Sequence, residues 1–387
     1  MSAMGPTTVS ARRRVVFVTA ILTQYRGPLH EQVRRLLDAQ GIDWVVLYSA
    51  PYGAAATKGD TIRPPWAVEV PAWHIDIGGK FASWQRIGRH ARGADLIVLE
   101  QQNRALHNYP LLAARYFGSR TKLAFFGHGR NFQETRETLG ERIKRLLAVQ
   151  VDWWFAYTEA SALALTDAGM PAERITVMNN AIDTRGLQAD LELVTPDDVA
   201  ALRLEHGIAP NAPLGLFIGG LYPEKRLPFL LAAAEIIRAR RPDFVLLIAG
   251  DGPDRTVLKH APHLRLLGSR FGRDKAVLLK AADLLLMPGL VGLVVLDAFC
   301  AGLPIVTTAI DYHSPEFAYL TDGAQGLVVQ DAGSVHAYAE TVEALLGDPV
   351  HLGDMTRSAR AAASRFGIEA MAERLAVGVV AALEAAR

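Results

Sequence analysis

The sequence has very little cysteine and no excess of charge. Cys300 is the one thiol among 387 residues, which excludes a disulfide within the chain and a zinc site built from several cysteines. A thiol-poor chain suits a reducing compartment, so we expect a cytoplasmic protein. The 41 basic and 40 acidic residues give a formal net charge of +1. This balance argues against broad binding of nucleic acid.

Long hydrophobic runs are missing as well. Hydrophobic residues make up 50% of the chain, enough for large cores, but no run approaches the roughly 20 residues that a membrane span needs. The stretch ARRRVVFVTAIL (11–22) imitates a signal peptide, because basic residues precede an apolar run. The run is short and no small-residue cleavage site follows it. We therefore interpret it as the first strand.

The sequence is rich in apolar, β-branched runs that are separated by amphipathic segments. Runs of this kind indicate parallel strands in doubly wound sheets. Twelve of them are predicted to be strands: 14–20, 43–50, 95–100, 122–127, 153–158, 175–180, 214–220, 244–250, 264–268, 283–289, 303–308 and 326–330. In such sheets, ligands bind beyond the carboxyl ends of the strands, so the loops that follow the strands are the informative ones.

The alternation stops between about 184 and 212, where a polar, helical and proline-bearing passage intervenes. A chain of 387 residues also exceeds the roughly 250–300 residues at which a single core stops growing. We therefore predict two α/β domains, over residues 1–186 and 187–367. A last helix over 368–387 is available to cross back to the first domain.

Two loops of the second half suggest a phosphate site. FIGGLYPEKR (217–226) places Lys225 and Arg226 just beyond a strand and a glycine turn. Cations near a strand end, beside exposed amides, suit a phosphate group. From these residues alone, a solvated lysine next to a tight turn is the alternative. The turn GDGP (250–253) is more typical of architecture than of ligand contact.

The second loop lies in PGLVGLVVLDAFCAGLP (288–304), which holds a single carboxylate, Asp297. Two glycines, Gly289 and Gly292, leave the backbone unobstructed, and a helix is predicted to begin near Leu293. Helix N-termini present unpaired N–H groups and attract anions. Asp297 lies one turn further along the helix. It is placed either to accept hydrogen bonds from a pair of ribose hydroxyls or simply to interact with the positive end of the helix dipole. Together the two loops predict a binding site for a nucleoside diphosphate.

In their order and spacing these segments resemble the retaining glycosyltransferases of the GT-B fold, in particular the large family numbered four. The matching segments are IGGLYPEKR, IAGDGP, LLGSRFG, ADLLLMPGLVGLVVLDAFCAGLPIVTT and NNAID (179–183). The match covers nearly all of 152–330, whereas the first 150 residues agree only in fold pattern. The resemblance implies an α/β fold of GT-B architecture, with two Rossmann-like doubly wound domains that face each other across a cleft. It implies that the N-terminal domain lies on the acceptor side and that the C-terminal domain binds a nucleotide sugar.

The resemblance also implies roles for individual residues. Lys225 would bind the diphosphate and, with His128 of FFGHGRN (125–131), form the catalytic pair; from the sequence alone, a histidine in a simple turn is equally expected. The implied ribose contact is Asp297, and the amides of 290–293 would contact the phosphates. The donor site as a whole is expected to comprise Gly219, Gly220, Lys225, Arg226, Gly268, Ser269, Arg270, Gly289, Leu290, Val291, Gly292, Leu293 and Asp297. The acceptor-side loop, which lacks the usual double glycine, is expected to comprise Tyr25, Arg26 and Gly27.

Two positions depart from the pattern of the family. Its first acid falls at Gly289 and its arginine falls at Gly220. The acid normally holds hydroxyls of the donor sugar, so its absence leaves the identity of the sugar open. The missing arginine leaves Lys225 and Arg226 to offset the charge of the leaving diphosphate.

The implied reaction moves a sugar from a nucleoside-diphosphate sugar to an acceptor hydroxyl, with retention of anomeric configuration and without a metal or other cofactor. Retention through a covalent intermediate needs a carboxylate near the anomeric carbon. Gly289 supplies none, so we expect charge stabilisation at the leaving group, with the departing diphosphate helping to deprotonate the acceptor. The alternatives are a non-catalytic sugar-nucleotide-binding protein and a GT-B sugar-nucleotide epimerase. A nicotinamide dehydrogenase is not expected, because no strand is followed by Gly-x-Gly-x-x-Gly.

The acceptor is expected to be a small molecule, a glycan or a lipid-linked molecule, and not a nucleic acid. RETLGERIKRLLAVQVDWW (136–154) mixes basic and apolar residues with two tryptophans. Such a segment can rest on an anionic membrane, or it can pack its apolar stripe on the sheet. Peripheral contact with the inner face of a membrane is therefore one expectation.

Overall fold

The computed structural model describes residues 12–53, 56, 61–77, 80–129, 145–258 and 261–386. The chain forms two compact α/β units. The first unit holds the described residues up to Gly129, residues 145–178 and those from Met371 onwards. The second unit holds the described residues of 179–370.

Strands and helices alternate along both units. The described strands are β1 (Arg13–Val18), β2 (Ile42–Tyr48), β3 (Val68–Glu69), β4 (Ala72–Ile77), β5 (Lys80–Gln85), β6 (Leu96–Glu100), β7 (Lys122–Gly127), β8 (Trp153–Ala156), β9 (Ile175–Val177), β10 (Leu214–Ile218), β11 (Val245–Ala249), β12 (Leu264–Gly268), β13 (Leu284–Met287), β14 (Ile305–Thr308) and β15 (Gly326–Val329). The described helices are Gly27–Asp38, Gly88–Ala91, Asn108–Tyr116, Glu159–Asp167, Thr184–Leu193, Pro196–Glu205, Leu227–Arg240, Gly272–Ala281, Val294–Ala301, Val335–Leu346, Pro349–Ala363 and Ile368–Glu384. Within these ranges, each helix is too short or too polar to cross a lipid bilayer.

The first unit is built on a seven-stranded sheet in the order β3-β2-β1-β6-β7-β8-β9, with every neighbouring pair parallel. Its central strands contain apolar, buried runs, namely VVFV in β1, LIVL in β6 and WWFA in β8, as expected for strands covered by helices on both faces. The chain reverses its direction of winding between β1 and β6. The loops that follow β1, β6 and β7 therefore meet at one edge of the sheet, where doubly wound folds bind ligands.

The second unit repeats this design with six parallel strands in the order β12-β11-β10-β13-β14-β15. Renumbered within the unit, this is the order 3-2-1-4-5-6 of dinucleotide-binding folds. The winding reverses between β10 and β13. The loops that follow these two strands are those that carry Lys225 and Gly289.

The units divide after Met178, whereas the sequence analysis placed the boundary after residue 186. The difference has a physical cause, because residues between these points are tied to the second unit. Asn180 donates from Nδ2 to Glu316 Oε1 at 2.6 Å, and Asp183 caps the helix Thr184–Leu193 by accepting from the amide of Gly186.

The last helix, Ile368–Glu384, contacts the first unit along its C-terminal part. Met371 and Val379 are completely buried. Lys122 Nζ donates to the carbonyl oxygens of Ala382 at 3.0 Å, Leu383 at 2.7 Å and Ala385 at 2.6 Å. These carbonyls lie at the end of the helix, where a cation is favourable because the last carbonyls have no helical partner.

All twelve predicted strands form, each within a few residues of its expected bounds. The sequence analysis missed the antiparallel hairpin of β4 and β5, which belongs to neither parallel sheet. Its sequence does carry a signal, since two alternating segments are separated by two glycines. Residues 136–144 of the basic segment 136–154, named above as a membrane candidate, lie outside the described residues.

Candidate functional site

The residues predicted to bind the donor, other than 268–270, collect at the point of the second unit where the winding of the sheet reverses. Lys225 ends a short 3-10 turn, Pro223–Lys225, in the loop after β10. Its side chain is buried, and its Nζ donates to Leu290 O at 2.6 Å, in the loop after β13. The ammonium group thus joins the two loops. Burial lowers the pKa of Lys225 to about 8.

A second cation, Arg226, lies beside the first. Its backbone adopts a left-handed conformation, with φ of 56°, between the short turn and the helix Leu227–Arg240. The guanidinium donates from Nη1 to Pro288 O at 3.3 Å and to Thr308 Oγ1 at 3.1 Å. It also lies 4.2 Å from the centre of the Phe229 ring. Sequence reasoning did not identify Thr308, which fixes the same loop by donating to Pro288 O at 2.7 Å.

The loop after β13 uses two of the four amides predicted to contact phosphate. The amide of Leu290 donates to Glu224 O at 2.8 Å, and that of Val291 donates to His313 Nδ1 at 3.0 Å. Among the described residues, the amides of Gly292 and Leu293 have no protein acceptor. They precede the helix Val294–Ala301, so these N–H groups and the positive end of the helix remain available to an anion.

His313 is a residue that the sequence analysis missed. Because its Nδ1 accepts from Val291, its other nitrogen carries the proton, and Nε2 lies 2.8 Å from Thr308 O, to which it donates. The ring is therefore neutral. Burial lowers its pKa, which favours this state. His313 also stacks on Phe317, with ring centres 3.9 Å apart.

Gly289, which replaces the first acid of the family pattern, has no room for a side chain. A Cβ at this position would lie 2.3 Å from Glu224 O and 2.4 Å from the carbonyl carbon of Lys225. Both are backbone atoms, so the loop would have to move. Gly220 differs, because a Cβ there would meet the ring of Tyr222 at 2.7 Å, and a side chain can turn away.

The remaining glycines of the turns have an architectural role. A Cβ on Gly250 would lie 1.8 Å from Gly219 O, and one on Gly252 would lie 2.3 Å from Leu221 O. The GDGP turn therefore packs directly on the backbone of the loop after β10. This close approach supports the architectural interpretation of the turn.

Asp297 has a protein partner that the sequence analysis did not foresee. It accepts from Lys275 Nζ at 2.8 Å, and both side chains are largely buried. The segment 268–270, predicted to meet the base, follows β12 at the edge of the sheet, two strands away from β10. Gly268 has φ of 69° and open space around it.

In the first unit, the structure brings the acceptor-side loop and His128 together through Tyr157. The guanidinium of Arg26 lies 5.2 Å from the ring centre of Tyr25, 5.7 Å from that of Phe126 and 5.3 Å from that of Tyr157. It also donates from Nη2 to the Tyr157 hydroxyl at 3.3 Å. The His128 ring meets the same tyrosine edge-on at 4.4 Å.

Glu100 is a further candidate that the sequence analysis did not name. It ends β6, next to β1, and accepts from Thr19 Oγ1 at 2.7 Å and from the amide of Ala20 at 3.1 Å. Burial raises its pKa. The sequence did contain a signal for Glu100, because a carboxylate at the end of an apolar strand lies at the ligand-binding edge of such a sheet. Gly27 begins the helix Gly27–Asp38 nearby in the chain, where a Cβ would meet Ile62 Cδ1 at 2.6 Å.

Residues 212–348, which include both loops around Lys225, match the family model described as Glycosyl transferases group 1. The chain carries a group 1 glycosyltransferase domain. A D-inositol 3-phosphate glycosyltransferase of Nocardia farcinica is 31% identical over 294 residues, which is 71% of this chain and 62% of that protein. An alpha-D-kanosaminyltransferase of Streptomyces kanamyceticus is 26% identical over 343 residues, 78% of this chain and 84% of that protein.

Solved structures agree with the group 1 glycosyltransferase assignment at the level of the fold. HepE of Anabaena in complex with UDP-glucose superimposes with a TM-score of 0.66 and 19% identity, over 95% of this chain and 99% of that one. The predicted fold class, GT-B with two Rossmann-like units, is thereby confirmed. The chain spans 63% and 62% of the length of the first two curated relatives that it matches.

Proposed function

We propose that the protein transfers a sugar from a nucleoside-diphosphate sugar to an acceptor hydroxyl with retention of anomeric configuration. The observation that carries this proposal is the pair of cations, Lys225 and Arg226, held at the reversal point of the second sheet beside the free amides of Gly292 and Leu293. A diphosphate is the group that such an arrangement suits. The structure of HepE with UDP-glucose supports this donor class.

Catalysis would then come from stabilising the charge that develops on the leaving diphosphate. Lys225 exchanges its bond to Leu290 O for a phosphate oxygen, and Arg226 adds a second charge. We assign this stabilisation to the two cations and the helix amides, and we propose that no metal is required. Because Lys275 occupies Oδ1 of Asp297, we propose that the ribose hydroxyls bind Oδ2.

On the acceptor side we assign His128, Tyr25, Arg26 and Gly27, and we propose Glu100 as a further member. The packing of Arg26 and His128 against one tyrosine fixes their positions. Since Gly289 leaves no carboxylate for a covalent intermediate, we propose a step on one face of the sugar, in which the departing diphosphate takes the proton of the acceptor. We infer a cytoplasmic location from the single cysteine, which is half-buried.

A second candidate function is the binding of a sugar nucleotide without turnover. The packing of Gly289 against Glu224 and Lys225 favours it, because the hydroxyls of the donor sugar lose their usual carboxylate partner. The two functions share the diphosphate seat. They differ in whether the glycosidic bond to the diphosphate is broken.

The test is a thermal-shift screen against UDP-, GDP- and dTDP-sugars, followed by NMR of the products. A ligand that binds the folded state raises the apparent stability by mass action. We expect one donor to stabilise the protein and to be hydrolysed or transferred with its anomeric configuration unchanged. Stabilisation without turnover across all donors and acceptors selects the second candidate. No stabilisation by any donor contradicts both.

Lys225→Ala provides the residue-level test of the diphosphate seat. We expect the turnover rate to fall roughly 100-fold, because the charge on the leaving group is less well stabilised. The thermal shift that the donor causes should largely disappear as well. Arg255→Ala is the matched control, because this cation lies in the same unit but pairs on the surface with Asp251. A Lys225→Ala variant with near wild-type turnover contradicts the proposed role.

A further inference from the structure

The hairpin of β4 and β5 exposes aromatic surface that the proposed transfer does not use. Trp73 and Trp84 lie directly opposite each other on the two strands, and so on the same face. Their exposed fractions are 62% and 38%. Two neighbouring indoles in water form an apolar patch of the kind that marks a binding surface.

A cavity of about 520 Å³ adjoins this pair, and we call it the hairpin groove. Ligand pockets are typically about 300–1,000 Å³, so the hairpin groove has the size of a small-molecule site. Its wall combines the two indoles with cations and one buried ring, from Trp73, Trp84, Arg86, Arg89 and His107. Among the described residues that line it, there is no carboxylate. The hairpin groove is therefore aromatic and positively charged.

His107, which lines the hairpin groove, has an unsatisfied polar atom beneath its surface. Its side chain is 5% exposed, and its Nδ1 is buried without a hydrogen-bond partner among the described residues. Burial lowers the pKa of His107 to about 4, so the ring is neutral near pH 7. A neutral imidazole has one donor and one acceptor, which suits a hydroxyl group. Buried polar atoms without a partner are rare, and this one indicates a ligand or an ordered water.

The wall is held rigidly. Gln85, next to Trp84, donates from Nε2 to Thr19 O and to Ser49 Oγ, both at 2.9 Å. The backbone of Ser83 also pairs with the segment 104–106 through two hydrogen bonds of 2.8 Å. A site whose walls are fixed before binding loses little conformational entropy when a ligand arrives.

We propose that the hairpin groove binds a sugar ring that carries a carboxylate or phosphate group. The apolar face of the ring would pack on the indoles, the anionic group would pair with Arg86 and Arg89, and a hydroxyl would bind His107. This site goes beyond the proposed transfer and does not depend on it, because none of its residues belongs to the donor or acceptor-side assignments.

A surface that combines tryptophans and arginines is also suited to contact with a lipid bilayer, which is the alternative partner. The shape of the hairpin groove favours the sugar, because a concave cavity lined by two guanidinium groups offers directed hydrogen bonds. A bilayer surface would cover the exposed indoles but would not fill the concave cavity. Binding to anionic vesicles is therefore an outcome that the experiment must be able to show.

Saturation-transfer NMR and calorimetry without nucleotide test the proposal, with glucuronate, glucose 6-phosphate and glucose as probes. We expect at least one of the two anionic sugars to bind, and glucose to bind at least about tenfold more weakly. Trp84→Ala and Arg86→Gln should each weaken binding of the anionic sugar by about tenfold or more. Phe117→Ala and Arg120→Gln, at exposed positions of the same unit outside the hairpin groove, should leave it unchanged.

Equal binding of glucose would overturn the role of the arginines, and binding unaffected by Trp84→Ala would overturn the location. Should Trp84→Ala fail to fold by circular dichroism, Arg86→Gln and Arg89→Gln decide the same question. If none of the three sugars binds at millimolar concentration, the proposal is wrong. In that case, binding to phosphatidylglycerol vesicles that Trp73→Ala abolishes would assign the surface to a membrane. None of these results changes the binding of donors at Lys225, which the thermal-shift screen measures separately.

Discussion

At the scale of single residues, the charged groups of the proposed donor site already have protein partners. Lys225 donates to Leu290 O, and Asp297 accepts from Lys275. These bonds fix the side chains in place, but they also compete with a substrate. A diphosphate that binds here must therefore replace existing hydrogen bonds rather than simply add new ones. Its affinity should also depend on whether Lys225 is protonated, which can be measured as a pH dependence.

The affinity for the nucleoside diphosphate whose sugar the thermal-shift screen selects should fall above pH 8. Burial lowers the pKa of Lys225 to about 8, so the ligand-free protein loses this ammonium group as the pH rises through that value. A bound diphosphate favours the ammonium form and raises the pKa, so binding takes up a proton. We expect the dissociation constant to rise towards about tenfold per pH unit above pH 8, measured by calorimetry between about pH 7 and pH 9.

Lys225→Met is the control for this effect. The variant should bind the same nucleoside diphosphate weakly, with an affinity that no longer depends on pH in this range. A wild-type affinity that stays constant above pH 8, or an equally steep dependence in the variant, would show that Lys225 is not the group that titrates.

Gly289→Ala should destabilise the protein although it adds a single methyl group. The new Cβ would lie within 2.6 Å of backbone atoms of Glu224 and Lys225, so the loop must move. We expect the free energy of unfolding in urea to fall by about 1–3 kcal/mol. Gly88→Ala is the matched control, since a Cβ there meets nothing within 4 Å. Equal stability of the two variants would contradict the packing described for Gly289.

At the scale of single elements, two helical glycines should respond oppositely to the same substitution. Gly378 lies in the helix Ile368–Glu384, where a Cβ would come within 2.4 Å of Thr176 Oγ1 and 2.8 Å of Phe155 Cε1. Gly353 lies in the helix Pro349–Ala363, and the nearest atom to its Cβ is 3.6 Å away.

We expect Gly378→Ala to lower the free energy of unfolding by about 1–3 kcal/mol through overpacking. Gly353→Ala should raise it by roughly 0.5–1 kcal/mol, because alanine loses less backbone entropy in a helix. Urea unfolding of both variants provides the measurement. A stabilised Gly378→Ala variant would refute the close packing of the last helix on the first unit.

At the scale of the whole molecule, stability should decline as the pH falls below about 6.5. Two buried histidines, His30 and His107, have pKa values lowered by burial to about 3 and about 4. Below the ordinary value of about 6.5 the unfolded chain takes up protons that the folded protein does not. Each histidine should therefore cost up to about 1.4 kcal/mol per pH unit until its own folded-state pKa is reached.

Urea unfolding between about pH 7 and pH 5 measures this slope. His30→Gln should reduce it, since His30 is 1% exposed and its Nδ1 accepts from Trp44 Nε1 at 3.4 Å. His351→Gln, at an exposed position, is the control. A slope that is the same in all three proteins would contradict the assignment to buried histidines.

The sequence by itself determined the elements and their class. Apolar runs such as VVFV and VLLIA are typical of strands covered on both faces, and the glycines and cations that follow some of them predict the ligand-binding edge. These signals are local, because hydrophobic periodicity and turn chemistry act over neighbouring residues. For the same reason the resemblance to the glycosyltransferases could be read from ordered motifs.

Only the tertiary structure decided which groups are already paired. Asp297 pairs with Lys275, two of the four amides predicted to contact phosphate bond to protein acceptors, and Gly289 packs on the backbone of Lys225. Each of these contacts joins segments that are distant in sequence. The hairpin groove likewise arises where β5 packs beside the segment around His107. Hydrogen bonds and close packing are short-ranged in space, and the chain brings such partners together only when it folds.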